Sequence, residues 1–165
     1  MKFSFYLIAG FLFVLSCSKK TTPPPASVRS AAYRDKVIST STMNADIING
    51  VNEYRKSKGL PPLHLLAIAA TEAAQHSSNM ASKKTAFGHG GFNLRALAIA
   101  NELHGTSATG ENIAFGKMTS RQVIDAWLKS PNHKANIEGA FNYTGVGVAK
   151  DSRGVVYYTQ IFVKK

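Results

Sequence analysis

A chain of 165 residues suits one domain of ordinary size, and a hydrophobic share of 44% with nine Phe, six Tyr and one Trp supplies a core. The formal net charge of +11 does not point to nucleic acid, because no basic stripe interleaved with aromatics is present. A single cysteine rules out an internal disulfide, so the core alone must hold the domain together.

Met1-Lys2 gives a short basic start, and Phe3 to Leu15 is almost wholly apolar. This run is shorter than the roughly 20 apolar residues a membrane-spanning helix needs, but it suits the core of a signal peptide. It leads into Val14-Leu15-Ser16-Cys17, which resembles a bacterial lipobox, relaxed at Val14 where the pattern prefers Leu. The resemblance implies removal of residues 1–16 and a lipid on Cys17, placing the protein in the bacterial cell envelope with the membrane as its first partner. Ordinary secretion, leaving a free thiol, is the alternative.

Residues 17–40 carry Lys19-Lys20, Pro23-Pro24-Pro25 and several Ser and Ala, and read as an extended tether. Five basic residues against Asp35 make the tether favourable to an anionic membrane face. The domain is then residues 41–165, where scattered Lys and Arg suit acidic envelope polymers or solubility.

Ser41 or Thr42 caps a predicted helix to about Lys58, with Ile47, Ile48, Val51 and Tyr54 on one face and Gly59 as its stop. Pro61-Pro62 breaks the chain, and a second helix is predicted from about Leu63 to Ala81. Gly88, Gly90 and Gly91 form a loop around His89, followed by a short helix over Leu94 to Asn101. Another helix runs from Thr119 or Ser120 to Lys129, burying Val123, Ile124 and Trp127, and Pro131 ends it. Strand patterning then takes over at Thr144 to Ala149 and Val155 to Val163, joined by a turn at Asp151 to Gly154. Helices followed by a hairpin define an α+β class, layered, without internal repeats.

Three phrases hold proton-active side chains among small and helix-ending residues: TAFGHGGF with His89, GENIAFG with Glu111, and AWLKSPNHKANI with His133. Two imidazoles and a carboxylate could hold zinc or another divalent metal, with Glu111 as ligand or as the base acting on bound water. The plain alternative makes His89 a loop residue, His133 a polar residue past a helix stop, and Glu111 a partner for nearby backbone amides.

His76, four residues after Glu72, reads as half of a helix-face ion pair or as a satisfied interior histidine. His64 and His104 read as exposed, Trp127 as core, and Asn112 and Asn136 as holders of local backbone turns. Ser77, Ser78 and Ser130 belong to no Ser–His–Asp set.

In order, AAQHSSNMA, FGHGG, GENIAFG, AWLKSPNHKANI, TGVGVA and YYTQIF, preceded by NEYRKSKGLPPL, resemble the bacterial branch of the CAP superfamily, the cysteine-rich secretory, antigen 5 and pathogenesis-related 1 proteins. The resemblance covers about Thr42 to Val163. It implies an α/β/α sandwich with a small antiparallel sheet between helical layers. It also implies a cleft of two His and two Glu able in several members to hold a divalent metal. Residue by residue, His89 matches the first histidine, Glu111 the first glutamate and His133 the second histidine. The second glutamate belongs three positions after Trp127, where this chain has Ser130. Phe92-Asn93-Leu94-Arg95 also departs, standing where relatives more often carry a Gly-rich stretch before the arginine.

Two functions follow as expectations. One is an envelope binding module for a lipid, glycan or peptide, with metal optional. The other is a metal-assisted hydrolase, peptidase- or esterase-like, using His89 and His133 for the ion and Glu111 as base. Ser130 removes one carboxylate from an acid/base pair, so the binding module is favoured over the enzyme.

Overall fold

In the computed structural model, residues 26–165 are described, with side chains from Thr42 onward. The signal-peptide reading of residues 1–16, the lipidation of Cys17 and the first part of the tether lie outside the described residues. Helix α1 (Ala26–Ser57) starts well before the predicted cap at Ser41 or Thr42, so it enters the segment read as an extended spacer. After Pro25 neither proline nor glycine occurs before Gly50, and nothing in that stretch breaks a helix. Among the described residues no helix is long and apolar enough to cross a membrane.

Gly59 takes φ 71° after α1, the left-handed turn a glycine accepts without strain. Arg55, 1% exposed, fixes this exit. Its guanidinium donates to the carbonyls of Pro61, Ile137, Gly139 and Phe141. Asn52 holds Leu63 from both sides, donating to its carbonyl and accepting from its amide. These bonds extend the chain where a helix was predicted. His64–Leu65 forms β1, and α2 (Ala67–Ala81) begins only after it.

The sheet has four strands: β1, β2 (Ala108–Gly116), β3 (Tyr143–Lys150) and β4 (Val156–Lys164), in the order β1-β3-β4-β2. β1 pairs parallel with β3, and the other pairings are antiparallel, so the sheet is mixed. GENIAFG forms the middle and end of β2, a strand the sequence pattern does not announce. Glycines stand at both ends of this phrase and Glu111-Asn112 sets two polar residues side by side, which masks the alternation that marks a half-buried strand.

Helix α2 crosses one face of the sheet at very short range. A Cβ added to Gly145 would lie 2.1 Å from the Ala70 nitrogen, and one on Gly147 2.1 Å from the Ala74 nitrogen. Ala69 and Ala73 complete that contact, packing in one cluster with Ile161, Val163 and Ile99 of α3 (Phe92–Glu102). The opposite face carries α1, α4 (Ser120–Lys129) and α5 (Pro131–Glu138). There Ile47, Val51, Ile124, Trp127 and Ile137 meet Val146, Tyr158 and Phe162. The result is the helix–sheet–helix sandwich expected.

Thr119 starts α4 with a reciprocal capping box to Gln122. Pro131 closes α4 but also opens α5 as its first residue, a position where its missing N–H costs nothing. His133 therefore sits in the first turn of a helix rather than past a helix stop.

Candidate functional site

β2 is an edge strand, and the site is built along it. Glu111 lies opposite Ile161 and so shares the α2 face of the sheet, whereas Asn112, opposite Gln160, shares the face that carries α5. Each face brings its own histidine to this edge.

On the α2 side, Glu111 is buried, its side chain 1% exposed, and its carboxylate is fully occupied. Arg95 Nε donates to Oε2 at 2.8 Å and Arg95 Nη2 to Oε1 at 2.9 Å. This two-pronged pairing is the strong form of an Arg–carboxylate contact. Arg95 Nη1 also donates to the Gly90 carbonyl at 2.9 Å, tying the ion pair to the glycine loop. His89 Nδ1 donates to Glu111 Oε1 at 2.9 Å, since a carboxylate only accepts. That bond selects the Nδ1–H tautomer when the ring is neutral. Nε2 then carries the lone pair on a half-exposed side chain.

His76 supports the same loop from below. It is 3% exposed, and its Nε2 donates to the Gly88 carbonyl at 2.9 Å. Burial, and next the Arg95 charge, hold its pKa below the ordinary 6.5. The interior-histidine reading of His76 is the one realised, and among the described residues no ion pair to Glu72 forms. A groove of about 280 Å³ opens here, lined by Glu72, His76, Asn79, Gly91, Leu94 and Arg95.

On the other side, the His133 carbonyl accepts from Asn112 Nδ2 at 3.0 Å. Asn136 Nδ2 donates to Asn112 Oδ1 at 2.8 Å and to the Glu111 carbonyl at 3.2 Å. These bonds join α5 to β2 across more than 20 residues of sequence, so both asparagines brace the site instead of holding local turns. Trp127 Nε1 donates to the Ile113 carbonyl, which covers a second polar group of the strand. The His133 pKa is lowered first by burial and then by His89 nearby. His89, Glu111 and His133 are thus brought to one edge of the sheet.

The donor set fits a divalent ion only in part. Nε2 of His89 and the His133 ring are available, but both oxygens of Glu111 are committed to Arg95, with His89 on one of them. Among the described residues no group of three His, Cys, Asp or Glu is arranged to hold a metal. Ser130 is the C-cap of α4 and the N-cap of α5, and its side chain makes no cap bond to α5. Sequence reasoning missed Arg95 as a site residue, although its spacing of six from His89 was the available signal.

The fold and this edge-strand cleft define a CAP domain. The family model for the cysteine-rich secretory protein family matches residues 48–162, and the chain belongs to that family. The Bacillus subtilis protein YkwD is 31% identical over 147 residues, covering 88% of this chain and 51% of its own length. An extracellular protein of Bacillus anthracis containing an SCP domain superposes with a TM-score of 0.65 at 25% identity, covering 88% of this chain and 45% of that one. An outer surface protein of Borrelia burgdorferi matches in fold, with a TM-score of 0.63 at 22% identity over 72% of this chain and 89% of its own. The chain spans about half the length of YkwD, which carries further sequence.

Proposed function

We propose that this protein is an exported, non-hydrolytic binding module of the bacterial cell envelope, anchored by lipid at Cys17, whose cleft takes an envelope lipid, glycan or peptide. The observation that carries the reading is the state of Glu111. A general base needs a carboxylate oxygen free to reach a water or substrate proton. Here Arg95 grips both oxygens inside the protein, and the residue that faces solvent is His89. Glu111 therefore acts on His89, fixing its ring and tautomer, and the cleft offers a positioned acceptor nitrogen beside a second imidazole. The SCP-domain relative described as extracellular supports export.

Native mass spectrometry of the full chain recovered from its own envelope tests the reading. A noncovalent lipid, glycan or peptide carried by the wild type and lost in His89→Ala, His133→Ala is the expected result. Turnover of envelope peptides or esters by the wild type would overturn it. For the anchor, Cys17→Ser should abolish lipid labelling and release the protein from membranes; retained labelling rejects that assignment.

The crowding of His133 by His89 favours a second, subordinate use of the cleft. Two imidazoles at one edge, with the His133 pKa lowered by burial and then by His89, suit a divalent cation, with Glu111 orienting His89 from outside the coordination shell. Zinc, if bound, would supply charge to an anionic ligand group. Zinc uptake that is unchanged in the double histidine variant would reject this use.

A further inference from the structure

The end of the sheet that carries the β3–β4 turn gathers aromatic surface and positive charge. Phe87 is 45% exposed and Phe115 54% exposed, with ring centroids 4.6 Å apart. Tyr157, opposite Phe115 in β4, continues the step with a centroid separation of 5.9 Å. Single exposed rings are ordinary, but contiguous ones mark a contact surface.

One register row further on, Lys150 lies opposite Val156, which lies opposite Gly116. A Cβ on Gly154 would stand 3.4 Å from Lys150 Cε and 3.9 Å from Lys117 Cε, so these two stems meet at the turn. Helix α2 runs toward the same end, since Ala70 lies at Gly145 and Ala74 at Gly147. Its last turn packs Met80 with Ile113 and Tyr157 and is followed by Lys83 and Lys84. All four lysines are exposed, and among the described residues none is in an ion pair. The one acid in these segments, Asp151, is paired with Arg153.

Exposed rings bordered by ammonium groups match the profile of an anionic bilayer, where rings enter the headgroup boundary and lysines stay at the phosphates. We propose that this end of the domain docks on the surface of an anionic phospholipid bilayer, with Phe87 and Phe115 inserted and Lys83, Lys84, Lys117 and Lys150 on the phosphates. The docking does not require lipid on Cys17.

The test places a reporter at the step in the full chain. Phe115→Trp and, separately, Phe87→Trp are bound to vesicles of phosphatidylglycerol and phosphatidylcholine with brominated acyl chains. Trp127, 1% exposed, is the interior reference. Blue-shifted, bromine-quenched emission from the new Trp is expected on anionic vesicles, with little quenching on pure phosphatidylcholine. Reversing the four lysines to Glu should restore the emission and weaken sedimentation of the chain with the anionic vesicles. Emission from both reporters that is the same with brominated and unbrominated lipid overturns the proposal, as does equal quenching on neutral and anionic vesicles.

Discussion

Arg95 and Glu111 meet in a two-pronged ion pair, Nε to Oε2 at 2.8 Å and Nη2 to Oε1 at 2.9 Å, with the carboxylate side chain only 1% exposed. Removing one partner of such a pair strands a charge away from water. Arg95→Ala should therefore cost about 3–5 kcal/mol, measured by the urea midpoint at constant slope. The double variant Arg95→Met, Glu111→Leu should be less damaging than Arg95→Ala. Losses from Arg95→Met and from Glu111→Leu that simply add in the double variant would show that the two residues act separately.

Asn136 links α5 to the strand through the Glu111 carbonyl and Asn112. Asn136→Ala leaves these buried groups without their donor and should destabilise by about 1–3 kcal/mol. Amide exchange should quicken in α5, around His133, before it does in α2. Uniform loss of protection across the domain would mean that α5 is not braced by this link.

Acidification should weaken the fold through His76. Its folded pKa lies below the ordinary 6.5, so the folded state prefers the neutral ring. Below 6.5 the unfolded chain takes up the proton first, and stability falls from there toward the lower folded pKa. Above 6.5 this contribution is complete. The urea midpoint should be flat above that pH and decline beneath it, with a shallower decline in His76→Gln. An equal decline in both proteins would assign the acid limb to other groups, His133 among them.

The glycines of β3 set how close α2 can come. Gly147→Ala would place a Cβ 2.1 Å from the Ala74 backbone nitrogen, a contact that neither backbone can relieve by rotating a side chain. The loss should be at least about 1–3 kcal/mol, the usual range for overpacking, and it should exceed the loss for Gly90→Ala, which meets no atom within 4 Å. Calorimetric melting of the two variants compares them directly.

The sequence made α4 legible because Thr119, Gln122, Val123, Ile124 and Trp127 combine a cap with helical apolar spacing. The β3–β4 hairpin was equally plain, as two strand-patterned runs joined at Asp151 to Gly154. β1 and β2 were not, since a two-residue strand has no period and β2 hides its alternation between glycines and buried polar groups. α5 was hidden by Pro131, which a linear reading takes as a stop although it also suits a first helical position. At the site, the phrases around His89, Glu111 and His133 pointed to one place. What they could not convey was that Arg95, from a different helix, already holds the carboxylate. Pairing of that kind depends on tertiary approach and has no local pattern.

Replacing the Glu111 carboxylate with a neutral amide separates the two functions most directly. Glu111→Gln keeps the size of the side chain but weakens its hold on Arg95 and on the Nδ1–H of His89. If Glu111 positions His89 for binding, native mass spectrometry of the full chain from its envelope should show ligand occupancy falling toward that of His89→Ala, His133→Ala. Wild-type occupancy in Glu111→Gln, together with loss of a hydrolytic turnover that the wild type possesses, would contradict the account and make Glu111 the base of an enzyme.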